Sequence, residues 1–173
     1  MGERLFLRHP TIGDCKEFID LTQKSQPLHT PWVAPPRSRG EFLKYLSIAT
    51  SSAFKGVLLC RNSDGRILGV YNLSQIVYGK FKNAYLGFYV SALYAKQGYM
   101  SEGMHLIIDL AFNTLKLHRL EANVQPDNIA SLRLLKRCGF QKEGYSPKYL
   151  KIGRRWRDHE RWAIRKDIWH PPV

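Results

Sequence analysis

Apolar and polar residues alternate at the start of the chain, with Leu5 and Leu7 inside Glu3–Arg8, the period of a half-buried strand. The period then lengthens. Ile12, Cys15, Phe18, Ile19 and Thr22 recur on one face of a helix that Thr11 caps and that runs to about Lys24. Gln26–Arg39 carries Pro27, Pro31, Pro35 and Pro36 around Trp32 and is expected to be a loop bearing a bulky aromatic. Ser38–Thr50 reads as a second helix. Phe54–Arg61 and Ile67–Val77 are strands joined by the hairpin turn Asn62-Ser63-Asp64-Gly65, and Ala84–Val90 follows the turn Gly79–Asn83. Three successive strands predict an antiparallel meander.

Beyond the meander, Met104, Ile107, Ile108, Ala111, Phe112 and Leu115 fall at helical spacing and predict a helix from about Tyr99 to Lys116. Arg119–Gln125 is a strand. Pro126-Asp127-Asn128 leads into a helix ending at Gly139, a residue type suited to the position just past a helix. Strands Gln141–Ile152 and Arg154–Arg165 meet at Gly153. The order β-α-α-β-β-β-α-β-α-β-β predicts an α/β (α+β) fold, a mixed central sheet of about seven strands with four helices. Ala84–Val90, the long helix and Arg119–Gln125 form one crossover unit, so those two strands are expected to be parallel neighbours.

A length of 173 residues suits one domain, 1–173, that buries roughly 70% of its unfolded surface. The apolar runs are short and interrupted by charge, so no membrane helix is expected. Met1–Pro10 lacks the apolar stretch of a secretory leader. Cys15, Cys60 and Cys138 are widely spaced, with no ligand spacing for a metal and no disulfide framework, which points to small core residues in a reducing cytoplasm. Charge is the unusual bulk property: 27 Lys+Arg against 14 Asp+Glu leave the chain at +13. Such a field attracts polyanions and phosphorylated cofactors. Many of the basic residues lie late, from Lys148 to Lys166, where they form either a solvated strand face or a contact for RNA or the ribosome.

Two segments carry candidate chemistry. The turn Tyr94–Gly103 opens the long helix, where orphan amides and the positive end of the helix dipole make an anion site; Gly98 allows close approach and Lys96 adds charge. On strand Arg119–Gln125, Leu120, Ala122 and Val124 share one face while Glu121 and Asn123 share the other. A central strand covered by helices is expected to be apolar on both faces. Glu121 therefore either lines a cleft or pairs with Arg119, two residues away on the same face.

The segments "GYMSEG", "HRLEANVQPDNIASLRLLKRCGFQKEGY" and "YLKIGRRWRDHERWAI", with "TPWVAPP" upstream, resemble the GNAT superfamily of N-acetyltransferases. The resemblance runs from about Gly69 to Ile164 and is strongest to the branch acting on the N-terminal alanine of ribosomal proteins (the RimJ/RimL group). It implies acetyl-CoA as co-substrate, no metal, and a splayed parallel strand pair at the cofactor site. Backbone groups of Phe88, Tyr89 and Val90 would bond the pantetheine arm like an added strand. The amides of Lys96, Gln97, Gly98, Tyr99, Met100 and Ser101 would hold the diphosphate. Asn128 would contact pantetheine, Ser131 would lie near the thioester sulfur, and Arg133, Lys136 or Arg137 would meet the 3′-phosphate.

Three positions depart from the family pattern. Ala95 and Met100 replace the usual first side chain and last small residue of the phosphate loop. Leu135 stands where many members carry a tyrosine acid, so that role would fall to Ser131 or to Tyr145. Glu121 is the candidate base, and Trp32, Asn72, Ser74 and Tyr85 are candidates for the acceptor side. A protein α-amine with pKa about 8 costs ~1.4 kcal/mol to deprotonate at pH 7, against ~4.6 kcal/mol for a lysine side chain. The expected acceptor is therefore a protein N-terminus, plausibly ribosomal. A small-molecule amine on the same scaffold, or a ribosome-assembly module with little catalysis, are the other readings.

Overall fold

The computed structural model describes residues 4–171. Among them, seven strands form one sheet: β1 (Leu5–Arg8), β2 (Lys55–Arg61), β3 (Ile67–Val77), β4 (Asn83–Val90), β5 (Arg119–Val124), β6 (Gln141–Ile152) and β7 (Arg155–Arg165). Their order is β1-β2-β3-β4-β5-β7-β6. Every neighbouring pair is antiparallel except β4 with β5, the parallel pair expected from the crossover. Glu3, the first residue of the expected opening strand, lies outside the described residues.

Helix α1 (Cys15–Lys24) follows a tight turn at Ile12–Asp14, where Thr11 and Asp14 form a reciprocal cap. Asp14 takes hydrogen bonds from the Thr11 amide at 2.7 Å and from the Arg8 guanidinium at 2.6 Å, so β1 and α1 are joined by charge. The four-helix expectation is corrected to five: Gln26–His29, expected to be loop, is a one-turn helix, α2. Proline early in a helix costs no hydrogen bond, because the amide it lacks is an orphan there anyway. Helix α3 (Arg39–Ile48) starts on a Ser38–Glu41 capping box. The long helix expected to reach Lys116 is regular only over α4 (Tyr99–Asp109); Leu110–Thr114 widens into a π-type turn closed by Leu115 N–H to Leu110 C=O at 2.9 Å. Helix α5 (Ile129–Arg137) ends before Gly139, which takes φ +88° as a residue past a helix end must.

Helices cover both faces. Met104, Ile107 and Ile108 of α4 and Phe112 of the turn after it, with Leu135 of α5, pack on Leu59, Leu73, Leu86 and Leu120. Phe18, Leu21, Phe42 and Tyr45 of α1 and α3 pack on Leu58, Cys60, Val70 and Tyr89. Neighbours such as Leu58 and Leu59 thus serve opposite cores, and β2 reads as a continuous apolar run for that reason. Helix α4 approaches the sheet tightly at Gly103. A β-carbon there would lie 2.7 Å from Leu59 Cδ1 and 3.0 Å from the Tyr71 hydroxyl, which itself donates to the Met100 carbonyl at 2.7 Å.

Gly103→Ala should therefore push α4 off β2 and β3 and lower stability by about 1–3 kcal/mol, read as a drop in urea midpoint with an unchanged m-value. An unchanged midpoint would mean that the contact yields freely.

Candidate active site

The parallel pair is short. β4 and β5 are in register only at Asn83↔Arg119, Ala84↔Leu120 and Tyr85↔Glu121. Beyond that point β4 stays with β3 as far as Val90, and β5 stays with β7 as far as Val124. The strands part. Ser91 N–H bonds Leu68 C=O at 2.8 Å, so alternation along β4 turns the groups of Ser91, Tyr89 and Gly87 toward β3. The groups of Leu86, Phe88 and Val90 consequently point away from β3; Leu86 N–H completes the ladder to Glu121 C=O, so the Leu86 C=O, both groups of Phe88 and the Val90 N–H are left facing the gap. Of the three residues assigned to an added strand, Phe88 offers both its groups and Val90 its N–H there, while Tyr89 bonds to β3 and buries its ring among α1 and α3.

Both α4 and α5 begin at the end of the sheet where β4 and β5 part, since each follows the carboxyl end of one of them. At α4 the amides of Lys96, Gln97, Gly98, Tyr99 and Met100 have no hydrogen-bond partner among the described residues, whereas Ser101 N–H is held by Gly98 C=O at 3.0 Å. Gly98 adopts φ +83° to turn those amides outward. Glu102, an acid in the first turn, is neutralised by Arg4 at 2.7 Å, and Arg4 also lies over the Tyr99 ring. The result is five amides without partners at the positive end of a helix, a cradle suited to an anion.

The register places Asn72, Ser74, Tyr85 and Glu121 on one sheet face. Asn72 Oδ1 accepts from the Tyr45 hydroxyl at 2.8 Å, which ties it to α3. Burial pushes the Tyr85 hydroxyl above its ordinary pKa, with Tyr149 and the charge of Glu121 acting the same way. The two readings left open for Glu121 are compatible. Its Oε1 takes a hydrogen bond from Arg119 Nε at 3.0 Å, while Oε2 has no partner among the described residues. Arg119 also grips Glu143 on β6 through a second pair of bonds and holds that carboxyl below its usual range.

At α5, Asn128 caps the helix by accepting from Ser131 N–H at 3.2 Å, leaving the Ser131 hydroxyl without a partner among the described residues. Arg133, Lys136 and Arg137 stand exposed along α5. Leu135 is fully buried, and Tyr145 donates to Asp158 at 2.5 Å out on β6 and β7. Trp32 is half-buried in the loop following α2.

That loop and α2 form a bracket that sequence patterning did not reveal. His29, only 4% exposed, donates from Nε2 to the Val90 carbonyl at 2.8 Å, and its ring meets Tyr89 edge-on. Ser25 Oγ accepts from Ala92 N–H at 2.9 Å, and Gln125 at the end of β5 reaches the Pro31 carbonyl at 3.4 Å. One short segment thereby touches the ends of both parted strands.

Residues 4–141 match the family model for the acetyltransferase (GNAT) domain. The chain belongs to the GNAT acetyltransferase family. Among GNAT relatives, it is 42% identical over 102 residues to the probable N-acetyltransferase YjcK of Bacillus subtilis, covering 59% of this chain and 56% of that protein. It is 40% identical over 108 residues to the ribosomal protein uS5-alanine N-acetyltransferase of Escherichia coli, covering 62% of this chain and 56% of the relative. The chain thus spans little more than half the length of either relative. The structure of Mycobacterium smegmatis RimJ in complex with CoA-disulfide superposes with a TM-score of 0.86 at 23% identity, over 94% of this chain and 82% of that one. The GNAT fold follows. No helix among the described residues is long and apolar enough to cross a membrane.

Burial lowers the His29 pKa below the ordinary value, against the opposing pull of the Val90 carbonyl. The unfolded chain then binds the proton more readily, so His29 costs stability as pH falls through about 6.5. At pH 7.5, His29→Ala should lose about 1–3 kcal/mol by leaving the Val90 carbonyl unpaired. By pH 5.5 the gap to the parent chain should narrow, as urea denaturation at the two pH values will read; a constant gap would exclude a buried neutral imidazole.

Proposed function

We propose that the chain transfers the acetyl group of acetyl-CoA to the N-terminal α-amine of a protein, of the alanine or serine type found on ribosomal proteins. The parted β4–β5 edge beside the Lys96–Met100 amide cradle carries the cofactor half of this reading. The cradle suits a diphosphate, and the Val90 N–H with both groups of Phe88 suits an amide-bearing arm laid along β4. Similarity to the uS5-alanine enzyme supports the acceptor half. So does the lower cost of deprotonating an α-amine, by about 3 kcal/mol relative to lysine.

In this reading the amine attacks the acetyl carbon directly, the carbon–sulfur bond breaks, and the thiol leaves with a proton. The Val90 and Phe88 amides are the donors available to the thioester carbonyl, an effect worth ~3 kcal/mol by analogy with oxyanion holes. Glu121, through Oε2 and a water, takes the proton that the amine gives up. Arg119 positions that carboxylate. The Ser131 hydroxyl, unpartnered among the described residues, meets the departing sulfur. Trp32, Ser74 and Tyr85 flank the acceptor, and Arg133 with its α5 neighbours meets the 3′-phosphate. Holding the two reactants together contributes the largest share, ~7–11 kcal/mol.

Acetyl-CoA should raise the melting temperature, and mass spectrometry should find acetyl groups on Ala- or Ser-starting peptides and none on N-terminally blocked peptides that contain lysine. Preferential acetylation of lysine side chains would sink the α-amine assignment. Glu121→Gln should lower kcat by ~10²-fold with an unchanged KM for acetyl-CoA. A loss under threefold would remove Glu121 from the proton path.

A further inference from the structure

The opposite end of the sheet holds a second charged feature that acetyl transfer does not use. A cleft of about 670 Å³ opens between the β3–β4 turn, the α4–β5 connection and the end of β7. Its lining holds four lysines, Lys80, Lys82, Lys116 and Lys166, together with His118, and no acid. β4 runs seven residues from this end to Val90, so the cleft lies roughly 23 Å from the far end of the gap described above.

Three observations separate it from an ordinary solvated surface. Lys80, Lys82 and Lys116 have no ion-pair partner among the described residues, whereas Lys166 is committed to the Phe112 carbonyl at 3.1 Å and the neighbouring Asp167 is paired with Arg165. Lys82 and Lys116 sit at φ +46° and +58°, left-handed positions that glycine or asparagine fills more readily. The frame is rigid: His118 and Arg119 N–H both bond Lys82 C=O, and Lys166 N–H bonds His118 C=O at 2.8 Å. The same β3–β4 turn exposes two rings, Tyr78 at 47% and Phe81 at 55%, interleaved with the lysines as Tyr78-Gly79-Lys80-Phe81-Lys82.

We propose that this end of the molecule is a docking surface for single-stranded RNA, with phosphates in the lysine cleft and unstacked bases on Tyr78 and Phe81. Lysines alone would serve an acidic peptide or a duplex equally well. Exposed rings alternating with cations match the stacking platforms of single-strand binders. Only the choice of RNA rests on the ribosomal acceptor proposed above; the surface itself does not.

The test is fluorescence anisotropy of a labelled twelve-nucleotide single-stranded RNA titrated with the full chain across a salt series. Lys80→Gln/Lys82→Asn/Lys116→Asn, with asparagine chosen to tolerate the left-handed backbone, should flatten the log K against log salt slope by about 2. Tyr78→Ser/Phe81→Ser should weaken binding at least about fivefold with the slope retained. The acetyl-CoA-induced melting shift, the same in every variant, reports on folding and on the cofactor site separately. Equal binding of duplex RNA or polyglutamate, or either variant binding as the parent chain does, would overturn the proposal. So would loss of binding on Arg154→Gln/Arg155→Gln with the lysine variant intact.

Discussion

Two strands that begin as a hydrogen-bonded pair and then part leave one edge of each without a partner in the middle of a sheet. Buried backbone groups in that state are costly, so the parting must be held open by forces acting from elsewhere. Here β3 holds β4 through Ser91 and Leu68, β7 holds β5 as far as Val124, and His29 takes the Val90 carbonyl from beneath. The Leu86 carbonyl, both groups of Phe88 and the Val90 N–H remain for a ligand that can pair as a strand does. Both α4 and α5 start where the strands part, so the same divergence that opens a slot also points two helix N-termini toward it.

Charge is distributed to suit that arrangement. The chain is strongly basic, yet two acids beside the proposed site, Glu102 and Glu121, are each held by one arginine. Arg4 cancels Glu102 beside the amide cradle, and Arg119 shares itself between Glu121 and Glu143. Fixing a carboxylate with one oxygen while leaving the other free is an orienting arrangement more than a stabilising one, since partly exposed pairs contribute little to folding.

Long periodic segments were readable from sequence because their signal is local. The apolar stripe of α4, the alternation of β5 and the glycine after α5 all appear where patterning puts them. The one-turn helix at Gln26–His29 escaped because proline density reads as loop, although Pro27 sits in the first turn, where proline is tolerated. The widening at Leu110–Thr114 preserves the apolar face and so leaves no trace in the period. His29 lies 61 residues from Val90, and nothing local to either announces the contact. Resemblance supplied the splay; periodicity alone gave only a parallel neighbour. Arg119 was visible as a partner for Glu121, but its second carboxylate, Glu143, comes from a strand 24 residues on.

Burial of the three cysteines acquires a meaning in a family that works on thioesters. Each acetyl transfer releases coenzyme A as a free thiol, which under mild oxidation exchanges disulfides with any thiolate within reach. Cys15, Cys60 and Cys138 are all buried, and burial pushes the Cys60 thiol up to about 11 and raises Cys138 as well. At neutral pH only about one Cys60 in ten thousand would carry the reactive charge. The fold thus keeps its own cysteines buried, away from the thiol that acetyl transfer in this family releases.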